Sequence, residues 1–113
     1  MTTTRRKAGV IQGTLDLLIL RTLLFGPVHG HGIAKHIQAT SEDVLQVEHG
    51  SLYPALQRLE KNGAINSAWE TVEGGREMKL YRLTALGKKQ LALEQSRWQT
   101  LANAMTRLLR PVK

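Results

Sequence analysis

Cysteine is absent from this 113-residue chain. That removes disulfides, thiolate zinc sites and cysteine nucleophiles together, and it fits a reducing compartment. A long apolar run is also missing. The nearest approach, "LDLLILRTLLFG", is broken by Asp16 and Arg21 and falls short of the roughly 20 apolar residues that a membrane helix needs. Arg5, Arg6 and Lys7 precede it in the manner of a secretion signal, but no small-residue cleavage site follows and a charge sits in each half of the apolar part. Neither membrane insertion nor export is expected, and the chain reads as cytoplasmic. Internal repeats and low-complexity segments are lacking. Acidic residues are scarce in one region only. Residues 1–73 carry seven Lys/Arg and seven Asp/Glu, whereas residues 74–113 carry nine Lys/Arg against Glu77 and Glu94, which accounts for the whole net charge of +7. A cationic portion on a neutral body points to a polyanionic partner, nucleic acid first, with a membrane surface or an acidic protein as the other options. With 42% hydrophobic residues, the chain is rich enough for one folded domain with a modest core.

Hydrophobic spacing sets out the elements. Residues 1–12 read as a basic arm. A helix begins at residue 13 or 14, with Asp16 in its first turn, where the helix dipole favours a carboxylate. Leu15, Leu18, Leu23 and the run over residues 17–20 predict burial on most sides. Gly26 and Pro27 stop it. "HGHG" at residues 29–32 then makes a tight connection to a second helix over residues 32–40, with Ile33, Ala34 and Ile37 inward. "SED" closes that helix, and residues 45–49 read as a short extended piece with Val44 or Leu45 and Val47 inward. A third helix is expected over residues 51–62. Its inner side is Leu52, Ala55, Leu56 and Leu59, Pro54 is tolerated in the first turn, and Gly63 suits a left-handed cap. The period then changes. "AINSAWETVE" and "REMKLYRLT" are strand-like and flank "GG" at residues 74–75, a hairpin signal. A two-residue loop pairs Glu70 with Lys79 and Glu73 with Arg76. Thr84 starts a last helix that runs to about residue 109.

Three helices followed by a two-stranded hairpin is the order of a winged helix-turn-helix. The fold class is therefore mainly α with a small β-hairpin and a long C-terminal helix. In that arrangement the third helix enters the major groove of double-stranded DNA and the hairpin lies beside it. This gives a use to the outer side of the third helix, which carries Ser51, Tyr53, Gln57, Arg58 and Lys61. Arginine and lysine bond guanine there, and glutamine bonds adenine. Ser51 and Tyr53 stand at the helix N-terminus, where hydroxyls and free backbone donors suit phosphate. Arg76 at the hairpin tip and Lys79 along it reach further phosphates or the minor groove. Residues 13–84 are read as the DNA-binding domain.

The last helix, residues 85–113, is read as a dimerisation helix. Leu91, Trp98, Leu101, Met105 and Leu108 occupy a and d heptad positions, with Glu94 the one misfit, and Ala102 and Leu109 widen the stripe. The same stripe would otherwise cover the first helix of its own chain. A homodimer reads a palindromic site with two recognition helices about 34 Å apart.

The sequence resembles the PadR family of bacterial transcriptional regulators. The resemblance is carried by "GTLDLLILRTL" (13–23), "HGHGIAKHI" (29–37), "GSLYPALQRLEKNGAI" (50–65) and "KLYRLTALGKKQL" (79–91). It implies a dimeric DNA-binding repressor, dimer contacts from the C-terminal and first helices, and a recognition helix containing Ser51, Tyr53 and the cations after them. The single C-terminal helix matches the short subfamily. His31, Gly32 and Ile33 differ from the aromatic or glutamate common in relatives. Glu77 and Met78 likewise replace part of the basic wing tip.

Other chemistries find less support. His29, His31 and His36 lie in a glycine turn and on a helix without a neighbouring carboxylate, so no metal site is expected. His49 and Ser51 lack an orienting group and an oxyanion site, and "HGHG" is not followed by the GKS or GKT of a phosphate loop. No cofactor and no enzymatic activity are expected. Trp69, Trp98, Tyr53 and Tyr81 are most simply core or interface residues. The residues name neither an operator nor a small-molecule effector. The competing reading is a winged-helix interaction module that docks an acidic partner through the same basic face.

Overall fold

The computed structural model describes residues 14–112, so the basic arm expected over residues 1–12 lies outside them. The elements run α1 (Thr14–Leu23), β1 (Val28–His29), α2 (Gly30–Thr40), α3 (His49–Lys61), β2 (Ile65–Thr71), β3 (Glu77–Leu83) and α4 (Ala85–Leu108). The strands form one antiparallel sheet in the order β1-β3-β2. Ile19 and Leu20 of α1, Ile33 of α2, Leu52, Leu56 and Leu59 of α3, and Ile65 of β2 are fully buried together. The apolar spacing of each helix therefore converges on one core, as the sequence predicts, with Leu45 and Val47 packed at its margin. Val44 is exposed. No helix among the described residues is long and apolar enough to cross a membrane.

Four features differ from the sequence reading. Helix α2 begins at Gly30 rather than at residue 32, and Val28 and His29 pair with β3 as a third strand. A two-residue strand is too short to leave a periodic signal. Helix α3 begins at His49, two residues early, so Pro54 stands inside the helix rather than in its first turn. The absent proline N–H then leaves the carbonyl of Gly50 without its helical donor. Gly50 is exposed, so its carbonyl is open to solvent and the missing bond costs little. The hairpin register is shifted by one residue. Val72 N donates to Arg76 O at 2.7 Å and Gly75 N to Val72 O at 3.0 Å, closing a three-residue loop. Gly74 and Gly75 both have positive φ (+89° and +80°), a backbone that glycine adopts without strain. Lys79 consequently lies opposite Trp69, not Glu70. Glu70 instead pairs with Arg82, whose hydrogen bond lowers the Glu70 carboxyl and raises the guanidinium. Finally, Leu91 belongs to the core of its own chain, 5% exposed, and is not offered to a partner.

Helix α3 ends in a Schellman motif. Gly63 has φ +83°, Ala64 N donates to Leu59 O, and Gly63 N donates to Glu60 O, both at 3.0 Å, which satisfies the last-turn carbonyls. Thr84 then docks α4 at the same place. Its hydroxyl donates to the Gly63 and Ala64 carbonyls (2.7 and 2.9 Å) and accepts from Gly87 N at 2.9 Å as the α4 N-cap. Gly87 lies so close that a Cβ built there overlaps the Ala64 carbonyl oxygen and comes within 2.7 Å of Leu83 Cδ1.

In an open helix, glycine to alanine stabilises by about 1 kcal/mol. Here Gly87→Ala should instead destabilise, by about 2 kcal/mol or more, because backbone must move to admit the methyl group. Urea unfolding of the two chains checks the sign.

Candidate nucleic-acid interface

The buried stripe of α3 (Leu52, Ala55, Leu56, Leu59) leaves the opposite side free. Ser51, Tyr53, Gln57, Arg58 and Lys61 are all exposed, so the structure brings the five expected residues to one helix. They are not equivalent. From the 100° step of the helix, Gln57 and Lys61 point most directly away from the core, along with Gly50 and Pro54. Among the described residues, neither Gln57 nor Lys61 makes a side-chain hydrogen bond or ion pair. Ser51 and Arg58 flank them on one side and Tyr53 on the other.

Both flanks are held. Arg58 Nη2 donates to Asp16 Oδ1 of α1 at 2.8 Å. The pair is partly exposed, and pairs of that kind contribute at most about 1 kcal/mol, but it restricts the guanidinium and screens its charge. Asp16 thus has a role beyond the α1 dipole, and 42 residues of separation leave no sequence signal for it. On the other flank, Tyr53 lies over the start of α2. A Cβ at Gly30 would come within 2.7 Å of the Tyr53 hydroxyl oxygen, and one at Gly32 within 2.7 Å of the His29 ring. Room for two rings accounts for the glycines of "HGHG". The His29, His31, His49 and Tyr53 rings follow one another edge to face at 5.7–6.3 Å between centroids. Among the described residues no three His, Cys, Asp or Glu side chains are grouped to hold a metal ion.

The hairpin stands beside α3. Ser67 Oγ of β2 donates to Glu60 Oε2 of α3 at 2.6 Å. Tyr81 of β3 is buried, and burial first, then the nearby Glu60 and Tyr53, pushes its phenol up. Lys79 is half-buried, with Nζ 5.8 Å from the Tyr81 ring centroid. Arg76 is exposed at the tip. Trp69 is neither core nor covered: it is 67% exposed.

On α4, burial ends at Leu91. Beyond it Trp98, Leu101, Met105 and Leu108 are 47–80% exposed. At the end of α1, Leu24 and Phe25 are exposed as well.

A family model described as the transcriptional regulator PadR-like family matches residues 19–93. An uncharacterized protein of Lysinibacillus sphaericus is 34% identical over 92 residues, covering 81% of this chain and 84% of that one. Among solved structures, a transcriptional regulator from Clostridium thermocellum is 30% identical with a TM-score of 0.80, covering 89% of this chain and 98% of its own. A PadR family transcription regulator from Clostridium difficile is 31% identical with a TM-score of 0.73, covering 84% and 97%.

Proposed function

The chain belongs to the PadR-like family of transcriptional regulators, DNA-binding proteins and not enzymes, and from that membership we propose that it is a cytoplasmic repressor binding a palindromic operator as a homodimer. One observation carries the assignment of surfaces. The outermost side chains of α3, Gln57 and Lys61, have no partner among the described residues, and they stand on a helix whose other face is wholly core. In the proposed complex α3 enters the major groove. Gln57 and Lys61 face base edges or phosphates, Ser51 and Tyr53 meet the backbone at the helix N-terminus, and Arg58 uses the donors left free by Asp16. Arg76 and Lys79 serve the wing. These assignments follow the chemistry of the groove.

The homodimer is supported by the row of exposed apolar residues on α4. Its 24 residues extend about 36 Å, and Trp98, Leu101, Met105 and Leu108 lie on the half that its own core does not cover. A two-fold pairing through this row, joined by Leu24 and Phe25, presents two α3 helices to successive turns of one duplex. It multiplies affinity by making the second contact intramolecular.

Fluorescence anisotropy on the duplex upstream of the chain's own gene, against a scrambled duplex, tests the reading. Tight binding to the native duplex alone, with a steep salt dependence, is expected. Equal and weak binding to both would favour the acidic-partner reading. Arg58→Ala with Lys61→Ala should weaken binding and lower the slope of log K against log salt by roughly two to four, one to two for each subunit; unchanged binding in that double variant removes α3 from the interface. Leu101→Asp with Met105→Asp should give monomers in sedimentation, and persistent dimers would move the interface elsewhere.

A further inference from the structure

Trp69 has no part in the surfaces assigned so far, although its indole is among the most exposed large apolar side chains of the chain, 67% open. Side chains on a strand alternate between faces, and directly opposed residues share one. Ile65, Ser67, Trp69 and Thr71 therefore share a face of the hairpin with Leu83, Tyr81, Lys79 and Glu77. That face begins in the core, with Ile65 and Tyr81 buried. It next meets α3, where Ser67 bonds Glu60. Beyond that point it leaves the body and carries Trp69 beside Lys79, whose ammonium leans back towards Tyr81. Glu77, further out, accepts from Thr71 Oγ1 at 2.6 Å. Glu70 is on the opposite face, paired with Arg82. The emerging segment of the wing face next to α3 thus offers one indole and one lysine, on directly opposed residues whose Cβ atoms stand about 5 Å apart.

We propose that Trp69 is a DNA-binding residue of the wing, laying its indole on the apolar carbons of a deoxyribose while Lys79 pairs with the neighbouring phosphate. The inference rests on the reading that α3 and the wing face duplex DNA. Three features select this occupant. The segment is continuous with the exposed side of α3. The charge beside Trp69 is the ammonium of Lys79, directly opposite it, while Glu77 and Glu73 lie further out towards the tip with Arg76. The pairing of an apolar plate with a cation matches a backbone in which sugar and phosphate alternate. An indole supplies rigid contact area with few rotors to freeze, which suits a contact that positions the protein without reading sequence.

Because a sugar contact does not depend on the bases, a labelled mixed-sequence duplex at low salt is a sufficient probe, with the full chain. Trp69→Ala should weaken binding about tenfold at every salt concentration, as expected from losing the burial of an exposed indole. The salt slope should stay unchanged, since a neutral contact releases no counterions, whereas Lys79→Ala should lower it by roughly two, one for each subunit of the proposed dimer. Trp69→Phe should recover most of the affinity, and thermal unfolding of all variants should match the parent. Parent and Trp69→Ala binding equally well would overturn this inference and leave the α3 reading standing. A parent that binds no duplex would overturn both. Loss of the dimer by Trp69→Ala in sedimentation would assign the indole to a second copy and overturn the DNA contact.

Discussion

The junction of α3, the wing and α4 passes through one residue, Ala64. Its N–H closes α3 on Leu59. Its carbonyl receives both the backbone and the hydroxyl of Thr84. Gly87 lies against the same carbonyl, with no space for a methyl group. Ala64 itself is fully buried. One residue therefore ends the helix with the exposed polar side, begins the wing, and seats the long helix that carries the exposed apolar row. Backbone contacts of this kind, in a close-packed interior, permit little adjustment. The angle between α3 and α4 is consequently a property of the fold rather than of flexible side chains. The proposed binding to two half-sites at fixed spacing requires that.

The second constraint is the roll of α3 about its own axis. The leucine stripe determines which side is buried, but a stripe of small breadth tolerates some rotation. Arg58 anchored on Asp16 and Tyr53 seated over Gly30 grip the helix from opposite flanks. The two flanking groups are thus partly spent on positioning, and the side chains between them are left to make contacts. Gln57 and Lys61 are the ones that the fold leaves without protein partners among the described residues. Their spacing of four residues puts them one turn apart on the same line.

Most of the architecture was legible because it is periodic. The four apolar residues of α3, the inward residues of α2, the glycine cap at residue 63 and the Thr84 start of α4 all follow from local rules, and the structure has them where those rules place them. The misses share a cause. The strand Val28–His29 exists only because β3 arrives beside it, and the Asp16–Arg58 pair exists only because α1 packs on α3. Neither leaves a local trace. The hairpin register failed on turn chemistry, since "GG" fits a three-residue loop as well as a two-residue one. That single step changed which residue stands opposite Trp69, Lys79 instead of Leu80. Leu91 fits the heptad by spacing, but spacing does not distinguish a residue covered by its own chain from one awaiting another.

The charge asymmetry is the instructive case. It pointed to a polyanion, and the chain belongs to a DNA-binding family, yet most of the excess charge is not on α3. Lys88, Lys89, Arg97 and Arg107 lie on α4, while α3 carries only Arg58 and Lys61 against Glu60. Cations interleaved with an exposed apolar row keep that row soluble, and like charges on two approaching copies oppose association. Pairing through α4 is then favoured when the apolar contact outweighs the repulsion, and a bound duplex lowers the repulsion by supplying counter-charge. In the proposed dimer, association and DNA binding would be coupled through electrostatics. Each should strengthen the other by the same free energy, and most strongly at low ionic strength, where the opposing charges are least screened.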